Sequence, residues 1–152
     1  AILLAIGRRG TPRKLGVPGE ELDKVVYRLI DPEQYRGQHV LVVGGGDSAL
    51  EAATAIAAQP GSTVTLSYRE KVFVRAKATN RKAAETALFE KRLRVLYESK
   101  VQVVHKKSVA IERNGQVILV PNDAVIVCAG GILPTPFLKE IGIEVETKHG
   151  TA

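Results

Sequence analysis

A chain of 152 residues with 45% hydrophobic and 25% charged residues is long enough for one domain with a real core. Its composition excludes a disordered or fibrous chain, and no apolar run approaches the ~20 residues needed to span a bilayer, so no membrane association is expected. The net charge of +6 suits a nucleic acid, an anionic surface or a phosphorylated cofactor, but the three phenylalanines, four tyrosines and absent tryptophan supply a base-stacking platform poorly, and nucleic-acid binding is not expected.

In chain order, residues 1–6 read as a buried strand, followed by a turn-rich stretch from Gly7 to Gly19. The chain lacks methionine and opens inside an apolar run, so it is expected to be a fragment of a longer protein. Asp31-Pro32-Glu33 offers an N-cap, a proline at the first helical position and an early acid, which predicts a short helix ending at Gly37. Gln38–Val43 has the unbroken apolar centre of a strand buried on both faces, as parallel sheets require. Three glycines end it.

From Asp47 to Gln59, Ala49, Ala52, Ala53, Ile56 and Ala57 recur at helical spacing, and Pro60-Gly61 supplies a stop. Thr63–Tyr68 reads as the next strand, so the order is strand, helix, strand, the signature of a parallel crossover. Thr79 to Leu93 is predicted as a surface helix from its alanine, glutamate, lysine and arginine content. Strand-like runs follow at Arg94–Tyr97, Val101–His105, Val109–Glu112, Val117–Val120 and Ala124–Ala129, with Asn114-Gly115 marking a hairpin. A short helix is expected over Phe137–Ile141.

The chemistry-bearing segment is Val42-Val43-Gly44-Gly45-Gly46-Asp47-Ser48-Ala49, which fits G-x-G-x-x-A through Gly44, Gly46 and Ala49. The spacing alone is a weak signal, but it follows a buried strand, opens a helix and is closed by a second strand within about 30 residues. Gly44 permits the tight turn, Gly46 removes a side chain where a pyrophosphate approaches, and Ala49 keeps the helix close to the sheet. Unpaired amides at the helix start then form an anion site. Ser48 is placed to donate to phosphate. Asp47 repels it, so its expected task is to cap amides or to face another part of a cofactor. The bland alternative is that the glycines only make a turn and Asp47 is an ordinary cap.

An NAD site usually carries an acid at the end of the second strand, about 20 residues past the glycines. Here that strand ends Leu66-Ser67-Tyr68-Arg69, and an arginine there suits the extra 2′-phosphate of NADP(H). Arg75 and Lys77 add positive charge, whereas Glu70 opposes it; the competing reading is a solvated basic loop.

These segments resemble the pyridine-nucleotide domain of the thioredoxin-reductase-like flavoproteins over nearly the whole chain. Residues 42–49 resemble that family's cofactor loop, Tyr68-Arg69 through Phe73-Val74-Arg75-Ala76 its basic 2′-phosphate segment, and Asn122–Gly131 its late strand and glycine turn beside the nicotinamide. The resemblance implies an α/β, Rossmann-like FAD/NAD(P)-binding domain with a central parallel sheet and an additional antiparallel β-layer. It implies Gly44, Gly45, Gly46, Asp47, Ser48, Ala49, Arg69, Arg75, Gly130 and Gly131 as cofactor-binding residues. It also implies NADPH presented to FAD on a domain built from flanking sequence, with Leu3–Gly7 as the return strand from that domain and Thr147–Ala152 re-entering it. A redox protein or domain would then take the electrons. Separately, a single cysteine, unable to form an internal disulfide, and the lack of a signal-peptide pattern predict a cytoplasmic setting.

Glu70 stands where the family commonly has a second arginine. The family's C-x-x-C pair is absent, and Cys128, alone in Val125-Ile-Val-Cys-Ala129, reads as a small core residue. Electrons are therefore expected to leave by a route other than a thiol relay within this segment. His39, His105 and His149 lack metal-ligand spacing, and no catalytic side chain is assigned because the cofactors carry the bond-making. A non-catalytic NADP(H)-sensing module is the alternative function.

Overall fold

The computed structural model describes residues 11–146; the predicted strand at 1–6, the Leu3–Gly7 return strand and the 147–152 exit lie outside the described residues. Five strands form a parallel sheet in the order β2 (Val25–Val26), β9 (Ala124–Val127), β3 (His39–Val43), β4 (Thr63–Ser67) and β5 (Leu93–Leu96). Helices α1 (Asp47–Ala57) and α2 (Ala78–Phe89) pack on one face. A three-stranded antiparallel meander, β6 (Ser99–Val104), β7 (Ser108–Arg113) and β8 (Gln116–Pro121), supplies the other. The expected Rossmann-like α/β architecture with its extra β-layer is what the chain forms.

The alternation along β3 and β9 shows why Val40–Val43 and Ala124–Val127 are apolar without interruption. Val40, Val42, Ala124 and Ile126 point into the core beneath the helices, with Leu50, Ile56 and Leu66. Leu41, Val125 and Val127 point the other way, against Val101, Val109 and Ile111 of the meander. Val40, Leu41 and Val42 of β3 and all four residues of β9 are thus taken out of water, at roughly 1.5–3 kcal/mol for a fully buried aliphatic side chain. The amino edge is fixed by polar groups: Asp123 accepts the His39 amide at 3.0 Å, and the buried Asn122 side-chain amide donates to the Ala124 carbonyl at 2.6 Å.

Most predicted elements hold, and three are corrected. The Asp31-Pro32-Glu33 signal does start a helix, with Asp31 accepting the Glu33 amide at 2.9 Å, but it makes a single 3₁₀ turn, Pro32–Tyr35. The helix predicted to Leu93 stops at Phe89. There Lys91 adopts φ +58° and the Arg92 amide reaches back to the Ala87 carbonyl at 2.9 Å, a left-handed cap made without glycine. Leu93 opens β5 instead. The last helix, α3, runs Thr135–Glu140. The Asn114-Gly115 hairpin is as expected, both residues taking positive φ (52° and 75°) between the paired Arg113 and Gln116.

Two further strands, β1 (Thr11–Pro12) and β10 (Gly131–Ile132), form a small antiparallel pair beyond β9. The Arg13 amide extends it by donating to the Gly130 carbonyl at 3.0 Å. No helix among the described residues is long and apolar enough to cross a membrane.

Candidate dinucleotide site

Chain order reverses at β3, which has β4 on one side and β9 on the other. In open α/β sheets such a switch point leaves a crevice at the carboxyl ends of the strands, where ligands bind. The glycine turn leaves the carboxyl end of β3 at this point. Val43 is in register with Ser67 and with Val127, and the Gly44 amide donates to the Ser67 carbonyl at 3.0 Å while the Cys128 amide donates to Val43 at 2.7 Å.

Each glycine has its own reason to be there. Gly44 has φ +144°, and a Cβ on it would stand 2.4 Å from the Cys128 carbonyl oxygen and 3.1 Å from the Ala49 methyl. A Cβ on Gly45 would enter the ring of Tyr68, at 2.1 Å. Gly46 differs: its backbone is extended, and a Cβ there would meet nothing within 4 Å. The first two glycines serve the fold, and the third opens space.

That space lies at the start of α1. Gly46 is the N-cap, no side chain caps the helix, and the first intrahelical bonds run from Ala49 and Leu50 to the Gly46 carbonyl at 3.1 Å. The amides of Gly46, Asp47 and Ser48 are therefore the free donors of the helix start, backed by the positive end of its dipole. Ala49 is buried against the turn and Ser48 is exposed beside it. An open Cβ position with convergent amides fits a pyrophosphate.

Asp47 does not cap its own helix, which corrects one of the tasks expected of it. Its Oδ1 accepts the Lys77 amide at 2.8 Å and the Asn80 side-chain amide at 2.7 Å, both at the start of α2. These donors, the Lys77 amide first, hold its carboxyl below the usual carboxylate value.

Arg69 follows Tyr68, the residue lying under Gly45, so it stands at the same strand edge as the glycine turn. Its guanidinium is exposed, with Nε 3.2 Å from Glu70 Oε1. Arg75 is also exposed, between the buried Phe73 and Ala76. Gly130 has φ +87° and follows two residues after Cys128, and Gly131 pairs with Pro12. Gly44, Gly45 and Gly46 thus lie in the turn after β3, Asp47, Ser48 and Ala49 in the first turn of α1, Arg69 and Arg75 in the loop after β4, and Gly130 and Gly131 in the turn and short strand after β9.

The sequence reading missed the scaffold of the basic loop. Tyr68 stacks on Phe73 with ring centroids 5.3 Å apart, and Phe73 meets Tyr97 at 5.2 Å. Arg81 donates to the carbonyls of Phe73 and Ala76, at 3.4 and 3.2 Å. Two aromatics within six residues of a charged loop were the available signal. Cys128, expected as a small core residue, is partly buried and packs against the helix-side core from its edge; burial pushes its thiol up to about 11, and its Sγ lies 3.7 Å from the Ser48 carbonyl. No His/Cys/Asp/Glu cluster suited to a metal occurs among the described residues.

Fold, switch point and glycine turn together define an α/β domain with the Rossmann-type fold of FAD/NAD(P) proteins. The model of the pyridine nucleotide-disulphide oxidoreductase family matches residues 1–151, and the chain belongs to that family. It is similar to a ferredoxin–NADP reductase of Ignicoccus hospitalis, 43% identical over 72 residues that span 47% of this chain and 23% of the relative. Its fold is similar to that of the bacillithiol disulfide reductase Bdr of Staphylococcus aureus (TM-score 0.85, 26% identity, 93% of this chain and 44% of that one). It is likewise similar to the thioredoxin reductase of Lactococcus lactis (TM-score 0.71, 26% identity, 86% and 45%). The chain thus spans less than half the length of each of these three proteins.

Proposed function

We propose that this chain is the NADP(H)-binding domain of a flavin-dependent pyridine-nucleotide oxidoreductase, presenting NADPH for hydride transfer to FAD held by a domain outside this chain. The observation that carries the reading is the open Cβ position of Gly46 at an uncapped helix start, with Arg69 at the neighbouring strand end. In this reading the amides of Gly46, Asp47 and Ser48 take the pyrophosphate, and Arg69 and Arg75 take the 2′-phosphate. Gly44, Gly45 and Ala49 shape the turn, and Gly130 and Gly131 border the nicotinamide, which supplies the hydride when bound.

The remaining chemistry belongs to partners. Ile132, Leu133, Phe137 and Ile141, which follow Gly130–Gly131, are each about half exposed, which supports a second domain packing beside the nicotinamide end. Cys128 is the one cysteine of the sequence, so no dithiol pair lies within it, which supports onward electron transfer through a separate redox protein or domain; the proposed setting is cytoplasmic.

Titration with NADPH and with NADH tests the reading, alongside an absorption spectrum of the protein joined to its flanking sequence. Preference for NADPH and a flavin spectrum are the expected results. Binding of neither nucleotide overturns the site assignment, and nucleotide binding without flavin leaves a pyridine-nucleotide module of another kind.

A further inference from the structure

The loop between β4 and α2 carries all the charge assigned to the 2′-phosphate, yet Arg69, Arg75 and Lys77 are exposed and Arg69 has only an exposed ion pair. Long basic side chains on a free loop would recognise a phosphate poorly, because ordering them costs entropy. The loop is not free. Its first residue, Tyr68, lies under Gly45, and its last, Lys77, donates its amide to Asp47 at 2.8 Å. Both ends are thus anchored on the glycine turn, two residues apart in sequence.

The Asp47 anchor is built from more than one bond. Asn80, in the first turn of α2, places its side-chain amide 2.7 Å from Asp47 Oδ1 and 2.9 Å from Glu51 Oε1. Asp47 and Glu51 are one helical turn apart and face the same way, so two carboxylates on the first turns of α1 grip the start of α2. A carboxylate beside a pyrophosphate site is otherwise unfavourable. It is explained if its oxygen is committed elsewhere.

Resting on the NADP(H) reading above, we propose that Asp47 and Asn80 are positioning residues for cofactor selection: they clamp the basic loop to the glycine turn, so that the 2′-phosphate is met by groups already in place. Neither side chain need touch the 2′-phosphate. The clamp thus acts on the phosphate that distinguishes NADPH from NADH and exists before nucleotide binds, whereas the Asp47 charge itself acts alike on the pyrophosphate that both cofactors share.

The test measures both cofactors and the free protein. In Asn80→Ala the dissociation constant for NADPH rises about threefold to tenfold, the scale of one or two hydrogen bonds, while that for NADH changes less than about twofold. Asp47→Ala lowers the NADPH preference further, and Asp47→Asn, which keeps an acceptor oxygen for the Lys77 amide, restores most of it. Without nucleotide, hydrogen exchange at the Lys77 amide accelerates in Asp47→Ala and stays near wild type in Asp47→Asn. An unchanged NADPH/NADH ratio in both Asn80→Ala and Asp47→Ala, an equal loss for both cofactors, or unchanged exchange at Lys77 in Asp47→Ala overturns the clamp. A wild-type protein with no NADPH preference fails the underlying reading instead, and the two failures are told apart by the wild-type titration.

Discussion

Gly44 and Cys128 meet backbone to backbone across the switch point, with the Cys128 carbonyl oxygen where a Gly44 Cβ would have to go, 2.4 Å away. The neighbouring Gly46 has open space instead. Alanine at these two positions therefore separates folding from binding. Gly44→Ala combines a positive φ with a backbone clash and costs about 2–5 kcal/mol, lowering Tm on the order of 10 °C. Gly46→Ala leaves Tm within a few degrees but places a methyl in the anion site and weakens nucleotide binding at least about tenfold. Thermal melts and titrations of the two variants check this. A Gly46→Ala protein that binds normally removes the pyrophosphate from that site.

Arg69 and Glu70 give a second separation. Their pair is exposed on both sides (66% and 53%), so it contributes little to stability and opens readily for a competing anion. Arg69→Ala should weaken NADPH binding by roughly tenfold to a hundredfold, the worth of a hydrogen bond to a charged group. NADH binding should barely change. Glu70→Gln should do the reverse, tightening NADPH about twofold to fivefold at low ionic strength, with the gain fading as salt screens the loop. Equal losses for both nucleotides in Arg69→Ala take Arg69 out of this role.

The parts of this arrangement legible in the sequence are those set by local pattern. β3, α1 and β4 follow from apolar runs, helical spacing and a Pro60-Gly61 stop, and the hairpin from Asn114-Gly115. The end of α2 did not show, because Lys91 takes a left-handed conformation that glycine usually signals. The role of Asp47 did not show either. Its partners Lys77 and Asn80 lie 30 and 33 residues away, and the contact exists only once the crossover brings α2 beside α1. A residue at a helix start reads as a cap by proximity; here the tertiary partner wins.

Cys128 makes a prediction about reactivity. Burial raises its thiol to about 11, so the thiolate, which is the reacting form, is scarce at pH 8. Alkylation by iodoacetamide should be much slower than for a free cysteine and should reach the normal rate on unfolding in urea. Fast labelling of the native protein would show that the switch point opens in solution.

The pH dependence of stability follows from carboxylates tied to backbone amides. The His39 amide holds Asp123 below its usual value, aided by Lys107 at 3.5 Å, and the Lys77 amide does the same for Asp47. Burial raises Glu20, but the amides of Leu15 and Gly16, at 2.6 and 2.7 Å, together with the Tyr27 hydroxyl, outweigh it and leave that carboxyl lowered as well. A group with a depressed folded-state pKa binds fewer protons folded than unfolded, so its contribution is complete above the unfolded value, about 4, and is lost as pH falls through the folded one. Urea midpoints should therefore be flat between about pH 6 and 8 and fall below about pH 4.5. Asp123→Asn should lower the midpoint at pH 7 and flatten the acid decline, since the lost contribution is the one that titrates. A variant whose decline parallels wild type at every pH would remove Asp123 from the acid-sensitive set.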